Sequence, residues 1–125
     1  MDFKTITDAT TKVLITYLTY QAVRTIAEQL SEMDPKQSVW FRRFSGQTAI
    51  QDGEEYLQRL FAENPAMAFR VMEVRAHIAE TIADRLPELT KTGMRQANQQ
   101  QQTQFMERAM QLQSPESREE PPEIE

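Results

Sequence analysis

The sequence predicts an all-α protein, a four-helix bundle with a long kinked C-terminal helix, and three observations carry that expectation. Only three of its 125 residues are glycine, while Ala, Leu, Met, Glu and Gln abound, a composition that favours helix over sheet. Apolar positions from Ala68 to Leu86 keep helical spacing over six turns. The pairs Asp34-Pro35 and Asn64-Pro65 each place a capping side chain just before a proline, the signature of a helix start.

The first helix is expected from about Asp2 to Ser31. On a wheel with Tyr17 at zero, Ile15, Ala22, Val23, Ile26 and Leu30 fall between about 140° and 240° and form the core stripe. Tyr17 stands on the opposite side, with Tyr20, Val13 and Ile6 within about 60° of it. The helix therefore has two apolar faces, of which its own bundle needs one.

Asp34-Pro35 opens the second helix, with Gln37 available to complete a capping box. That helix offers Val39, Trp40, Phe41 and Phe44 for burial and is expected to stop at Gly46, a natural residue just past a helix end. The loop "QTAIQ" leads to Asp52, which can cap a third helix while Glu55 reaches back. Tyr56, Leu57, Leu60 and Phe61 are its stripe. Ile50, outside any helical stripe, is either a staple-like contact on the third helix or an exposed apolar tip.

Asn64-Pro65 starts the longest helix, expected to run to about Gln102 with a kink at Pro87, whose ring lacks a donor and clashes with the preceding turn. Its length is then on the order of 55 Å, more than two short helices can cover. A second copy of the chain, packed antiparallel about a two-fold axis, is the simplest cover, so a homodimer is expected. Residues 1–110 are read as the helical domain and 111–125 as a disordered acidic tail.

Charge and composition exclude several functions. Net charge is −5, but residues from Ser114 on hold five Glu against one Arg, leaving the body near neutral. No basic stripe follows, and nucleic acid is not an expected partner. No apolar run approaches the length of a membrane span, and the N-terminus resembles neither a signal nor a transit peptide. Cysteine is absent, which fits a reducing compartment. A di-metal carboxylate site needs two Glu-x-x-His pairs, and the chain has one His. Glu73, His77 and Glu80 read instead as a solvated or interfacial helix face. No nucleophile elbow and no Gly-rich phosphate cradle occur, so the chain is not expected to be an enzyme or to need a cofactor or metal. What survives is a binding surface. Tyr17 and Tyr20, with Arg24 and Glu28 on the same face and Gln29 and Glu32 toward its flank, suit an extended peptide whose side chains enter apolar slots.

Three segments, "YLTYQAVRTIAEQLSEMDP", "FSGQTAIQDGEEYLQRLF" and "RVMEVRAHIAETIADRLPELTKTGMRQAN", together resemble the RbcX family of Rubisco assembly chaperones. The resemblance covers roughly residues 3–100, in order and in register; Leu89-Thr90 departs from it, where a more apolar pair would be usual. It implies an arc-shaped antiparallel homodimer that serves photosynthetic carbon dioxide fixation. Such a dimer captures the C-terminal segment of the Rubisco large subunit in a central groove. It stabilises large subunits as they assemble into the octameric core, then gives way to small subunits. Carried onto matching positions, Tyr17, Tyr20, Ile50 and Gln51 line the groove, while Gln29, Glu32 and Arg70 meet the body of the large subunit. The implied location is the cytoplasm or the carboxysome. The competing reading is a structural or scaffolding helical dimer without peptide capture.

Overall fold

A computed structural model describes residues 2–47 and 50–113. Five helices follow one another: α1 (Phe3–Met33), α2 (Pro35–Gln47), α3 (Gly53–Glu63), α4 (Pro65–Ala83) and α5 (Leu86–Gln113). The chain divides into two compact units, Met1–Ile82 and Ala83–Glu125.

In the first unit, every helix start read from the sequence is made by a side chain. Asp2 accepts from the Lys4 amide at 3.0 Å and the Thr5 hydroxyl at 2.8 Å. The Thr5 bond, then the Lys4 bond, hold its carboxyl below the ordinary carboxylate range. Asp34 accepts from the Gln37 amide at 3.2 Å, and Asn64 from the Met67 amide at 3.2 Å. Asp52 accepts from the amides of Glu54 and Glu55. These bonds satisfy donors that the first helical turn leaves without partners.

Two expected details differ. Gly46 lies inside α2, which continues through Gln47, and no described glycine has positive φ. With no left-handed residue to end it, the helix simply runs on. Glu55 does not reach back to Asp52; its carboxylate takes Arg59 one turn ahead at 3.0 Å, the ordinary i, i+4 pairing. Of the expected loop, Thr48 and Ala49 lie outside the described residues.

The core of this unit joins all four helices. Ala22, Val23, Ile26 and Leu30 of α1 meet Phe41 and Phe44 of α2, Tyr56, Leu57 and Leu60 of α3, and Met67, Ala68 and Val71 of α4. Phe44 links its neighbours through rings, stacked on Trp40 at 5.4 Å between centroids and edge-on to Tyr56 at 5.7 Å. The Tyr56 hydroxyl shares a 2.8 Å hydrogen bond with Ser45 Oγ. Burial pushes its phenol pKa up, with the Ser45 bond opposing. Ile15, expected in the core stripe, is 38% exposed. Its angle on α1 suits burial, but the buried residues of α1 begin only at Leu18, and Ile15 lies one turn too early to be covered.

The second unit contains α5, which buries none of its residues. Where one long helix kinked at Pro87 was expected, the structure has two: α4 ends at Ala83, Asp84 and Arg85 form a turn, and α5 starts at Leu86, with the Leu89 amide donating to the Arg85 carbonyl at 3.0 Å. Pro87 has no N–H for the Ala83 carbonyl, and its ring crowds that same carbonyl, so the ladder is cut there. Gly93 and the glutamine-rich stretch are fully helical, and the helix reaches Gln113. The remainder of the expected acidic tail, Ser114 onward, lies outside the described residues.

Candidate functional site

The site is built where the N-terminus of α3 is pressed against the middle of α1. A Cβ built on Gly53 would stand 2.8 Å from Thr19 Oγ1, 3.1 Å from Thr19 Cβ and 3.2 Å from the Thr16 Cα. Only a residue without a side chain permits that approach. The Gly53 amide also donates to Thr16 Oγ1 at 3.1 Å. Arg75 of α4 locks the junction from the other side. Its guanidinium donates to Thr19 Oγ1 at 2.9 Å and to both carboxylate oxygens of Glu54, at 2.6 and 3.3 Å. Thr19 is fully buried, and its own hydroxyl donates a hydrogen bond to the Ile15 carbonyl at 2.8 Å. The loop before Gly53, carrying Ile50 and Gln51, is thereby held beside α1.

On α1 the tyrosines face outward, 57% exposed at Tyr17 and 47% at Tyr20, while Ala22 and Ile26 are sealed. Ile50 is half-buried and packs against the core, closer to the staple-like contact than to an exposed tip. It also joins Tyr20 in the wall of a cavity of about 450 Å³ between α1 and α2, floored by Val23, Ala27 and Phe41. Gln51 is exposed and opens onto a neighbouring cleft beside Lys12, Val13 and Thr16. Tyr17 lines neither hollow. The structure thus brings Tyr20 and Ile50 together directly and sets Gln51 in the adjoining cleft.

The peripheral residues form a second constellation. Arg70 of α4 donates to Gln29 Oε1 of α1 at 2.6 Å, across the bundle surface. Glu32 is exposed and follows Gln29 by three positions on α1, so the two share a face. Glu28, on the tyrosine side, pairs loosely with Arg24 at 3.8 Å.

Sequence reasoning missed Gly53, Thr16, Thr19 and Arg75 as positioning residues. The one signal for Gly53 was glycine at the first position of a helix, where a side chain would ordinarily be tolerated. No described group of three or more His, Cys, Asp or Glu could hold a metal ion. No described helix is long and apolar enough to cross a membrane.

An all-helical unit that shows two aromatic rings on one helix face beside an apolar cavity is a protein-binding module. Comparison with known proteins narrows the class. The family model described as "RbcX protein" matches residues 1–111. The "RuBisCO chaperone RbcX" of Thermosynechococcus vestitus is 54% identical over 112 residues, covering 90% of this chain and 89% of that protein. Its namesake from an Anabaena species is 47% identical over 112 residues, 90% of this chain and 82% of that one. The solved structure described as "Crystal structure of RbcX in complex with substrate" superposes with a TM-score of 0.84 at 38% identity, covering 89% of this chain and all of that one. This chain belongs to the RbcX family.

Proposed function

We propose that this protein is a Rubisco assembly chaperone that acts as a homodimer. It captures the C-terminal segment of the Rubisco large subunit on the face of α1 bearing Tyr17 and Tyr20, and promotes formation of the octameric large-subunit core before small subunits bind. The single observation that carries the reading is the exposure of these two rings on the side of α1 turned away from the core. Its family membership and the capture of substrate by a 38% identical relative support it further. Ile50 and Gln51 complete the groove, and Gln29, Glu32 and Arg70 form a separate contact with the body of the large subunit.

Dimerisation is supported by α5. Leu89, Met94, Phe105, Met106, Met110 and Leu112 are all more than half exposed, and a helix with that much uncovered apolar surface gains by packing on another copy. The mechanism needs no catalysis, cofactor or metal. Each captured aromatic side chain contributes roughly 1.5–3 kcal/mol of apolar burial, part of which is offset by ordering a flexible segment. Reversible binding follows, as departure at small-subunit binding requires. The working location is the cytoplasm or the carboxysome.

Co-expression with a Rubisco large subunit tests the proposal. Assembled oligomer should rise with this protein present and fall back when the large subunit lacks its extreme C-terminal segment. A scaffold without peptide capture would show no dependence on that segment.

A further inference from the structure

The other four helices carry both signs of charge, but α2 carries Lys36, Arg42 and Arg43 and no acid. On a wheel all three lie within about 60° of Val39, on the side away from the buried Phe41 and Phe44. The structure leaves this face open: the three cations are exposed, and Val39 is 58% exposed. Arg42 turns to one flank, where its guanidinium donates to Ser38 Oγ at 3.3 Å and to the Ala27 carbonyl at 3.4 Å. Lys36 and Arg43 stand on the other flank. Neither has a carboxylate partner among the described residues, whose ion pairs fall to Arg24, Arg59 and Arg75. Trp40, the only tryptophan, lies half-buried beside Lys36 in a hollow of about 570 Å³ completed by Gln37, Glu63 and Asn64.

We propose that the flank formed by Lys36, Val39 and Arg43 is the docking surface for the protein's own acidic segment, residues 114–125. That segment, "SPESREEPPEIE", holds five Glu against one Arg and so carries four of the five excess negative charges of the protein. Its complement is α2, the one helix with cations alone. A helix of 13 residues is about 20 Å long, and about six extended residues cover that distance, half of the segment. The other half is left as a tether. Ile124, the segment's one aliphatic side chain besides proline, supplies an apolar contact for Val39, and the glutamates pair with Lys36 and Arg43. Glu63, in the Trp40 hollow, disfavours an acidic chain on that side and confines it to the side of Val39. Contacts on an exposed face are individually weak, so the free segment binds only in about the millimolar range. A tether supplies an effective concentration of about the same order, so the face is occupied reversibly and salt opens it. None of Lys36, Val39 and Arg43 lines the Tyr20 hollow, so the inference does not depend on which client is captured.

Two full-length variants and one free peptide test this by NMR and by the emission of Trp40. The first variant combines Glu116→Gln, Glu119→Gln, Glu120→Gln, Glu123→Gln and Glu125→Gln; the second combines Lys36→Gln and Arg43→Gln. Neutralising the segment should move the resonances of Lys36, Val39 and Arg43 and the Trp40 emission, and leave the Tyr17 resonances in place. Raising salt from about 20 mM to about 500 mM should move the same signals in the unaltered chain and in neither variant. A free peptide of residues 114–125 should bind the segment-neutralised variant at least about twofold more tightly than the unaltered chain, because no tethered copy competes with it. The same peptide should not bind the Lys36→Gln, Arg43→Gln variant. Unmoved α2 signals on neutralising the segment would overturn the proposal. Shifts centred on Arg24 and Tyr20 would seat the segment elsewhere and overturn it as well. A change of oligomeric state in either variant would show that the α2 face meets a second copy, which also overturns it. The substituted α2 side chains are exposed, and an unchanged thermal transition establishes that the variants are folded.

Discussion

Gly53 meets Thr19 so closely that the space for one methyl group is missing: a Cβ there would lie 2.8 Å from the threonine hydroxyl oxygen. This contact between the start of α3 and the middle of α1 sets where the loop bearing Ile50 and Gln51 lies relative to Tyr20. Thr19 could turn its hydroxyl aside, but the Thr16 Cα at 3.2 Å is backbone and cannot.

Gly53→Ala is therefore expected to destabilise the helical unit by about 1–3 kcal/mol, the usual cost of overpacking, and to weaken peptide capture. Denaturant midpoints give the first effect and titration of the large-subunit segment the second. Unchanged stability would mean that α3 can slide without loss.

Arg75 and Glu54 should prove unequal partners. Glu54 is mostly exposed, and Glu54→Gln should cost no more than about 1 kcal/mol. Arg75→Met also strips a donor from the buried Thr19 hydroxyl, and should cost roughly 1–3 kcal/mol. A double-mutant cycle in denaturant separates the exposed ion pair from the buried bond.

The Tyr56 phenol gives the bundle an alkaline limit. Its pKa in the fold is raised by burial, so the folded state prefers the neutral ring. The associated stability is fully present below about pH 10, where the unfolded chain's tyrosine also stays neutral, and is lost as pH rises through the higher folded value. Tyr56→Phe should cost about 1 kcal/mol near neutral pH through the lost Ser45 bond, and should flatten the alkaline fall in stability.

Two substitutions should divide capture from assembly. Tyr20→Ala removes an exposed ring, so stability and dimerisation should change little while peptide affinity falls about thirtyfold, the loss of an aromatic anchor. Arg70→Ala breaks the 2.6 Å bond to Gln29 and should spare the peptide but lower the yield of assembled large subunits. Equal loss of both activities in Arg70→Ala would contradict two separate surfaces.

Much of this protein is local and could be read along the chain. Asp34-Pro35, Asn64-Pro65 and Asp52 mark helix starts because a cap and its recipient amide lie within three residues. The outward turn of Tyr17 and Tyr20 follows from the helical period alone. The family pattern of three segments named the candidate residues. What the tertiary structure decided involves partners distant in sequence: Gly53 against Thr16 and Thr19, Arg75 bridging Thr19 and Glu54, Arg70 reaching Gln29. It also decided that Ile15, correctly phased for the core, lies beyond its cover, and that Tyr20 and Ile50 line one slot together. Periodicity states which side of a helix is apolar. How far a neighbouring helix extends along that side, and how closely it approaches, depends on contacts that no local spacing records.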